Sequence, residues 1–367
     1  MTVEQVAGVP GITIDAYRAE DLADAVAFQD SLWRGGTEGN TRYFHWKYRD
    51  NPHLDHRYVV VAREGGRVVG MVGVFGSLWE HEGRAYALPC LTDTIVAPEH
   101  RGGPLFLAMI DEVVKRLAAD GVPWLLDFGD QGAAPAMLMA GWTQIGPWGQ
   151  AVVEREEALF ERRPWPDLPA VRGARSGATV RAVSTPDAEA MADLVRRLSA
   201  GHRAEPHRRL PRGSGIRAVR DAEYFRWRAA NPLARYFHLE AGDDSMRGFL
   251  IGHRSAVDPD DAHTPTTVVD CEAATDDVFA DLVAFALEHL PGRELLMWTR
   301  DLAPERVGIL RSLGARLQEP THRFTEDLYL PNLMIRATGA TPCAPAPELM
   351  RSPGFWNVHG VSGRAWR

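Results

Sequence analysis

The chain has 367 residues, a length that favours two domains, and 45% of them are hydrophobic, enough to fill two cores. Its net charge of -8 and isoelectric point near 5.9 exclude a general nucleic-acid binder, because affinity for a phosphate backbone is set by cationic charge. No apolar run reaches the length needed to cross a bilayer and no basic-then-apolar leader opens the sequence, so the expectation is a cytoplasmic protein without a membrane partner.

In chain order, Ile12 to Tyr17 alternates as a strand, and Ala19 to Phe28 reads as a helix with Glu20 and Asp21 in its first turn. Arg34 to Asn40 is glycine-rich and reads as a loop. Tyr43-Phe44-His45-Trp46-Lys47-Tyr48-Arg49-Asp50 reads as a short aromatic helix stopped by Asn51-Pro52. Tyr58 to Arg63 and Arg67 to Val74 form a hairpin across Glu64-Gly65-Gly66. Leu91 to Val96 is a buried strand that enters the loop Pro98 to Gly103, and Leu105 opens an amphipathic helix. Leu125 to Phe128 is a further strand, Pro135 to Met139 a short helix, and Gln150 to Arg155 a closing strand for the first half.

The same order then repeats. Tyr224-Phe225-Arg226-Trp227-Arg228-Ala229-Ala230-Asn231-Pro232 restates the aromatic helix with one residue deleted, and Arg247 to Gly252 restates the second hairpin strand. Val268 to Glu272, Phe279 to Leu290, Glu294 to Trp298 and Leu310 to Ala315 follow in the order of their counterparts. Ala273-Ala274-Thr275-Asp276-Asp277 replaces the basic loop, and its two acids would repel a phosphate. The expected division is a catalytic domain over 1–160, a linker of Pro, Gly and Arg over 161–178, a second domain over 179–340 and a tail over 341–367.

Chemistry concentrates in the segment from Leu91 to Ile110. A strand that delivers a glycine-containing loop into a helix start offers unpaired N–H groups and a helix dipole, and Arg101 adds a full positive charge. Val96, Pro98, Arg101 and Gly102 fit the run Val-x-Pro-x-x-Arg-Gly-x-Gly, and the segment resembles motif A of the GNAT (GCN5-related N-acetyltransferase) superfamily. Pro104 departs from the pattern, standing where glycine is usual and removing one N–H donor.

The resemblance implies an α/β protein of two tandem GNAT folds, each a mixed, mostly antiparallel sheet flanked by helices, with the second copy degenerate. It implies acetyl-CoA or another acyl-CoA as cosubstrate, held by Thr94, Ile95, Val96, Arg101, Gly102, Gly103, Leu105 and Phe106. The implied reaction is acyl transfer, acetyl by default, to a primary amine by direct attack in a ternary complex. The expected acceptor is a small polar metabolite such as an amino-sugar, a nucleotide-sugar or an antibiotic precursor, and the expected state a monomer or homodimer.

Asp93 is the first candidate for the base, with anchoring of the amine as its other reading, and Glu82 at the hairpin tip is the second. Trp33 and Trp46 are candidates for substrate contact, set against simple packing. Arg208 and Arg209, in the arginine-dense stretch from Arg196 to Arg220, are candidates for gripping a phosphorylated acceptor, set against a solvated loop. No metal is expected, since His53-x-x-His56 has no third ligand near it and Cys90, Cys271 and Cys343 are dispersed. Two other functions stay open: a non-catalytic GNAT-like module that binds a metabolite or protein, and an acyl-CoA thioester enzyme of different chemistry.

Overall fold

The computed structural model describes residues 9–129, 132–155, 165–200, 215–255, 264–320, 330 and 332–363. The chain forms two units, one from Met1–Trp79, Ala85–Gly146 and Asn332–Pro353, the other from Glu80–Arg84, Pro147–Pro331 and Gly354–Arg367.

The first unit begins with β1 (Ile12–Ala16), α1 (Leu22–Phe28), α2 (Asp30–Trp33) and α3 (Gly36–Phe44). The loop expected over 34–40 is instead the start of α3. Borrowed side chains hold that start: Asn40 Oδ1 accepts from the Gly35 N–H at 3.0 Å, and Asp30 Oδ1 accepts from the Gly36 N–H at 3.2 Å. The helix does not stop at Phe44 but widens into a π-turn over His45–Arg49, closed by the Asp50 N–H on the His45 carbonyl at 2.7 Å. Asn51 then ends it, its Oδ1 accepting from His53 N and Leu54 N.

Strands β2 (Val60–Glu64), β3 (Arg67–His81) and β4 (Arg84–Val96) follow, then α4 (Leu105–Ala119), β5 (Trp124–Asp127), α5 (Ala134–Met139) and β6 (Thr143–Gln144). Apolar residues at helical spacing turn one face of α4 onto the sheet, burying Leu105, Met109, Ile110, Val113 and Leu117 against Val60, Ala62, Val69 and Val72. Each such side chain contributes about 1.5–3 kcal/mol by leaving water. The sheet runs β1-β2-β3-β4-β5, and its next strand is Met334–Ala337 from far along the chain, antiparallel to β5 and to β6.

The second unit holds β7 (Gln150–Glu154), β8 (Val171–Arg172), β9 (Thr179–Val183), α6 (Ala188–Ala200), β10 (Ile216–Ala218) and α7 (Ala222–Ala229). After these come β11 (Ala234–Gly242), β12 (Met246–Ser255), β13 (Thr266–Ala273), α8 (Asp276–His289), β14 (Glu294–Trp298), α9 (Pro304–Ser312) and β15 (Arg316–Gln318). The sheet order is β15-β7-β14-β13-β12-β11-β9-β8.

Three expectations differ from the structure here. Gln150–Glu154, read as closing the first sheet, pairs antiparallel with β14 and β15, and Met334–Ala337 fills the place it was expected to take. The expected linker is also structured over its described part. Val171–Arg172 pairs with β9, and Asp281 of α8 accepts from Arg175 N, Ser176 N and Ser176 Oγ. The expected tail divides as well, its residues up to Pro353 belonging to the first unit and those from Gly354 to the second.

Candidate active site

In the first unit β4 remains attached to β3 as far as Ala97, whose N–H donates to the Val69 carbonyl at 2.8 Å. A single turn, Pro98–His100, then leads to Arg101 in extended backbone and to Gly102 at φ +75°, a conformation costly for any residue with a Cβ. Arg101 is exposed. Its Nε donates to the Val96 carbonyl at 3.1 Å, and its terminal guanidinium nitrogens have no partner among the described residues. Glu99, the acid of this loop, is neutralised by Arg67 at 2.6 Å. Pro104 caps α4, so the N–H groups of Leu105 and Phe106 in its first turn lack acceptors within the helix. Positive charge, open donors and a helix dipole therefore converge at one turn.

The strand that feeds this turn leaves its neighbour. Parallel pairing joins Cys90 to Leu126 and Leu91 to Asp127, where β5 ends, whereas β4 runs on to Val96. Asp93 lies in that extension at φ +47°. Among the described residues the other non-glycines at positive φ, Arg34 and Glu82, both lie outside strands. Thr94 and Ile95 beyond it are half-buried and Val96 is buried.

Asp93 is held from three sides. The Lys47 ammonium, with none of its side chain exposed, donates to Asp93 Oδ2, Thr92 Oγ1 and Tyr43 Oη, each at 2.9 Å, which satisfies all three of its protons. The Tyr48 hydroxyl donates to the same Oδ2 at 2.6 Å. Burial, then the Asp93 charge, push the Tyr48 phenol well above its usual range, so it remains a donor. The Gln29 side-chain amide donates to the Asp93 backbone carbonyl at 2.8 Å. The rings of Tyr43, Tyr48 and Phe75 surround the ammonium at 5.1, 5.8 and 5.8 Å.

The other expected residues fall elsewhere. Glu82 sits in the turn between β3 and β4, eleven residues before Asp93, with 75% of its side chain exposed. Trp33 has no exposed surface and meets Tyr43 edge-on, while Trp46 stacks on the same ring and is 5% exposed; both pack the aromatic cluster and offer no open face to a substrate. Arg208 and Arg209 lie outside the described residues. The described arginines of that stretch are committed within the second unit: Arg196 and Arg197 to Asp193, Arg217 to Glu80, and Arg220 to Asp270 and Glu272.

Sequence reasoning gave no role to Lys47, Tyr48 or Gln29. One signal was available: Lys47 is one of two lysines in a chain whose Lys and Arg total 41. An interior slot that matches three acceptors to a compact ammonium suits lysine and not the planar arginine fork.

In this α/β sheet a strand thus parts from its parallel neighbour beside a helix start with open N–H donors. The GNAT acetyltransferase domain matches residues 13–132, which supports an acyltransferase enzyme and an acyl-CoA as its cosubstrate. The fold is similar to that of a GCN5-related N-acetyltransferase from Anabaena variabilis ATCC 29413 (TM-score 0.53, 11% identity, covering 89% of this chain and 73% of that one). It is also similar to a conserved protein of unknown function from Enterococcus faecalis V583, described as a probable N-acyltransferase (TM-score 0.58, 13% identity, 89% and 73%). A GCN5-related N-acetyltransferase from Kribbella flavida gives a TM-score of 0.53 at 15% identity, covering 89% and 71%. At such identities the likeness is one of fold. No curated protein matches the sequence.

Among the described residues no helix is long and apolar enough to cross a membrane, and no group of three His, Cys, Asp or Glu side chains could hold a metal ion.

Proposed function

We propose that the first unit transfers an acyl group, acetyl by default, from acyl-CoA to the primary amine of a small polar metabolite such as an amino-sugar, a nucleotide-sugar or an antibiotic precursor. The observation that carries this reading is the parting of β4 from β5 directly before the Arg101–Gly102–Gly103 turn. A pyrophosphate suits the exposed guanidinium of Arg101 and the first-turn N–H groups of α4. The pantetheine arm suits Thr94 to Val96, whose backbone extends past the end of β5 and can supply the donors that polarise a thioester carbonyl. Direct attack by a neutral amine then requires no covalent intermediate on the protein.

Asp93 is the carboxylate on that strand. Its Oδ2 already accepts from Lys47 and Tyr48, so its charge is compensated within the protein, and we assign it to anchoring the strand in preference to serving as general base.

The second unit we read as a degenerate copy of the same fold. Supporting this, β13 is antiparallel to β12 and parallel to β14 with α8 between, an arrangement like that of β3, β4, α4 and β5. At the start of α8 the Thr275 side chain caps the Val278 N–H, and Asp276 and Asp277 occupy the first turn, which leaves no place for an anion.

Calorimetric titration of the full chain with acetyl-CoA and free coenzyme A tests the reading, alongside Arg101→Glu. Binding that the variant abolishes supports the cosubstrate site and directs a screen of amines by thiol release. A wild type that binds neither acetyl-CoA nor longer acyl-CoAs refutes it.

A further inference from the structure

A left-handed residue inside a strand is costly, and it persists only where its surroundings over-determine it. Asp93 is such a residue, and what surrounds it is unusual. Lys47 and Tyr48 are consecutive, yet both reach the same carboxylate oxygen. On a regular α-helix successive side chains diverge by about 100°, which separates such a pair. Here they lie within the π-turn His45–Arg49, whose extra residue distorts the helix where both must turn inward. Across the sheet, β3 supplies the room: a Cβ on Gly73 would stand 1.9 Å from the Tyr48 hydroxyl and 3.1 Å from the Thr92 carbonyl.

The corresponding segment of the second unit lacks the π-turn and the break. Tyr224 to Pro232 is one residue shorter than Tyr43 to Pro52, and α7 is a regular helix. Arg228, in the place of Lys47, donates to the Val361 carbonyl, and no residue of β13 has positive φ. Insertion, π-turn and left-handed break thus occur together in one unit and are absent together from the other, where a buried arginine, Arg220, meets Asp270 and Glu272 of β13 without either feature.

We propose that the π-turn is a clamp that imposes the left-handed break at Asp93, so that Lys47, Tyr48 and Gln29 are positioning residues for acyl-CoA. Parting from the parallel neighbour occurs in both units, after Leu91 and after Val268, so what the break adds is the path of the strand beyond it: through it they fix how Thr94 to Val96 meet the cosubstrate. This rests on the acyl-transfer reading above. Lys47 contributes as a counter-charge and as a three-point fastener, and the second role separates the proposal from ordinary stabilisation of a buried carboxylate.

The test compares wild type, Lys47→Met, the charge-neutral pair Lys47→Met with Asp93→Asn, and Tyr48→Phe, all in the full chain. Three quantities are read: the thermal midpoint, the calorimetric affinity for acetyl-CoA, and amide hydrogen exchange of peptides covering 91–97. Lys47→Met alone leaves a buried charge uncompensated and is expected to lower the midpoint, or not to fold at all. The neutral pair regains most of that midpoint while its amides at 92–96 exchange at least tenfold faster than wild type and its acetyl-CoA affinity is tenfold or more weaker. Tyr48→Phe shows the same pattern at smaller amplitude.

Recovery of exchange protection and affinity together with the midpoint would overturn the clamp, leaving the pair as simple charge compensation. Should wild type not bind acetyl-CoA, the acyl-transfer reading falls and the role toward acyl-CoA with it, while the exchange data still decide whether Lys47 and Tyr48 hold the break.

Discussion

Gly73 and Tyr48 cannot both carry a full side chain at their present separation, because a Cβ on Gly73 would overlap the tyrosine hydroxyl at 1.9 Å and its Cζ at 2.6 Å. The ring is fully buried and packed on Phe44 at 5.1 Å, so it has nowhere to retreat. Gly73→Ala is therefore expected to destabilise the protein by about 1–3 kcal/mol through overpacking and to pull the Tyr48 hydroxyl off Asp93. Denaturant titration gives the first quantity and acetyl-CoA calorimetry the second. Unchanged stability would mean the ring moves freely, and unchanged affinity would detach Tyr48 from the cosubstrate.

Pro104 places a ring where an N–H would otherwise face the anion turn. Pro104→Gly restores that donor. A hydrogen bond to a charged group contributes roughly 1.5–3 kcal/mol, so acetyl-CoA binding is expected to tighten by about tenfold. The released backbone costs up to about 1 kcal/mol of stability, since proline restricts the unfolded chain and suits the start of α4 at φ -73°. Calorimetry of the two proteins decides it; equal affinities would show that the nitrogen of residue 104 does not face the phosphates.

The strand–turn–helix at Leu91 to Ile110 was legible because everything that makes it lies within a few residues: strand, glycines, arginine and helix follow one another in sequence. The exchange of strands was not. Gln150–Glu154 has the apolar pattern of a buried strand, and that pattern is equally satisfied by either sheet; only its pairing with β14 and β15 assigns it. The Lys47–Asp93 pair spans 46 positions and depends on a π-turn that no periodicity announces, although the one-residue difference between Tyr43–Pro52 and Tyr224–Pro232 was visible and is where the two segments diverge. The choice between substrate contact and packing for Trp33 and Trp46 was open for a related reason. An aromatic residue that lines a pocket and one that fills a core look alike until neighbours such as Tyr43 and Phe44 are placed.

Acid should weaken the second unit through its buried imidazoles. Burial pushes His238 down to about 4 and, with the Arg228 charge as a lesser cause, His253 to about 3, from an ordinary value of 6.5. Their Nδ1 and Nε2 atoms respectively have no hydrogen-bond partner among the described residues. Above pH 6.5 both are neutral folded or unfolded, and neither affects stability. As the pH falls below 6.5 only the unfolded chain takes up the protons, so stability is lost progressively down to about pH 4 for His238, by an amount on the order of 3 kcal/mol. Thermal midpoints of wild type and His238→Gln between pH 7 and pH 4 isolate this contribution from that of the carboxylates. The variant should lose less on acidification, and parallel curves would refute the assignment.

The parting of strands that opens a site in the first unit is filled in the second. Pairing of β13 with β14 covers Thr266–Leu295, Thr267–Leu296 and Val268–Met297, after which β13 continues to Ala273 paired with β12 but no longer with β14. Val358, His359 and Gly360 line the space left there, together with Val269, Asp270, Trp298 and Asp301. His359 Nε2 lies 3.1 Å from Asp301 Oδ2, and Arg228 holds the Val361 carbonyl. The fit depends on Gly360 having no side chain, since a Cβ there would stand 3.0 Å from the Val269 Cα and 3.3 Å from its carbonyl oxygen, both fixed backbone. Gly360→Val should therefore displace the tail and draw the Val361 carbonyl away from Arg228, costing about 1–3 kcal/mol. Because these contacts all belong to the second unit and acyl-CoA is assigned to the first, acetyl-CoA affinity should remain at the wild-type value. Scanning calorimetry with a parallel acetyl-CoA titration separates the two effects. A normal midpoint would mean the tail is not seated on β13, and a lost affinity at normal midpoint would mean the second unit contributes to the cosubstrate site after all.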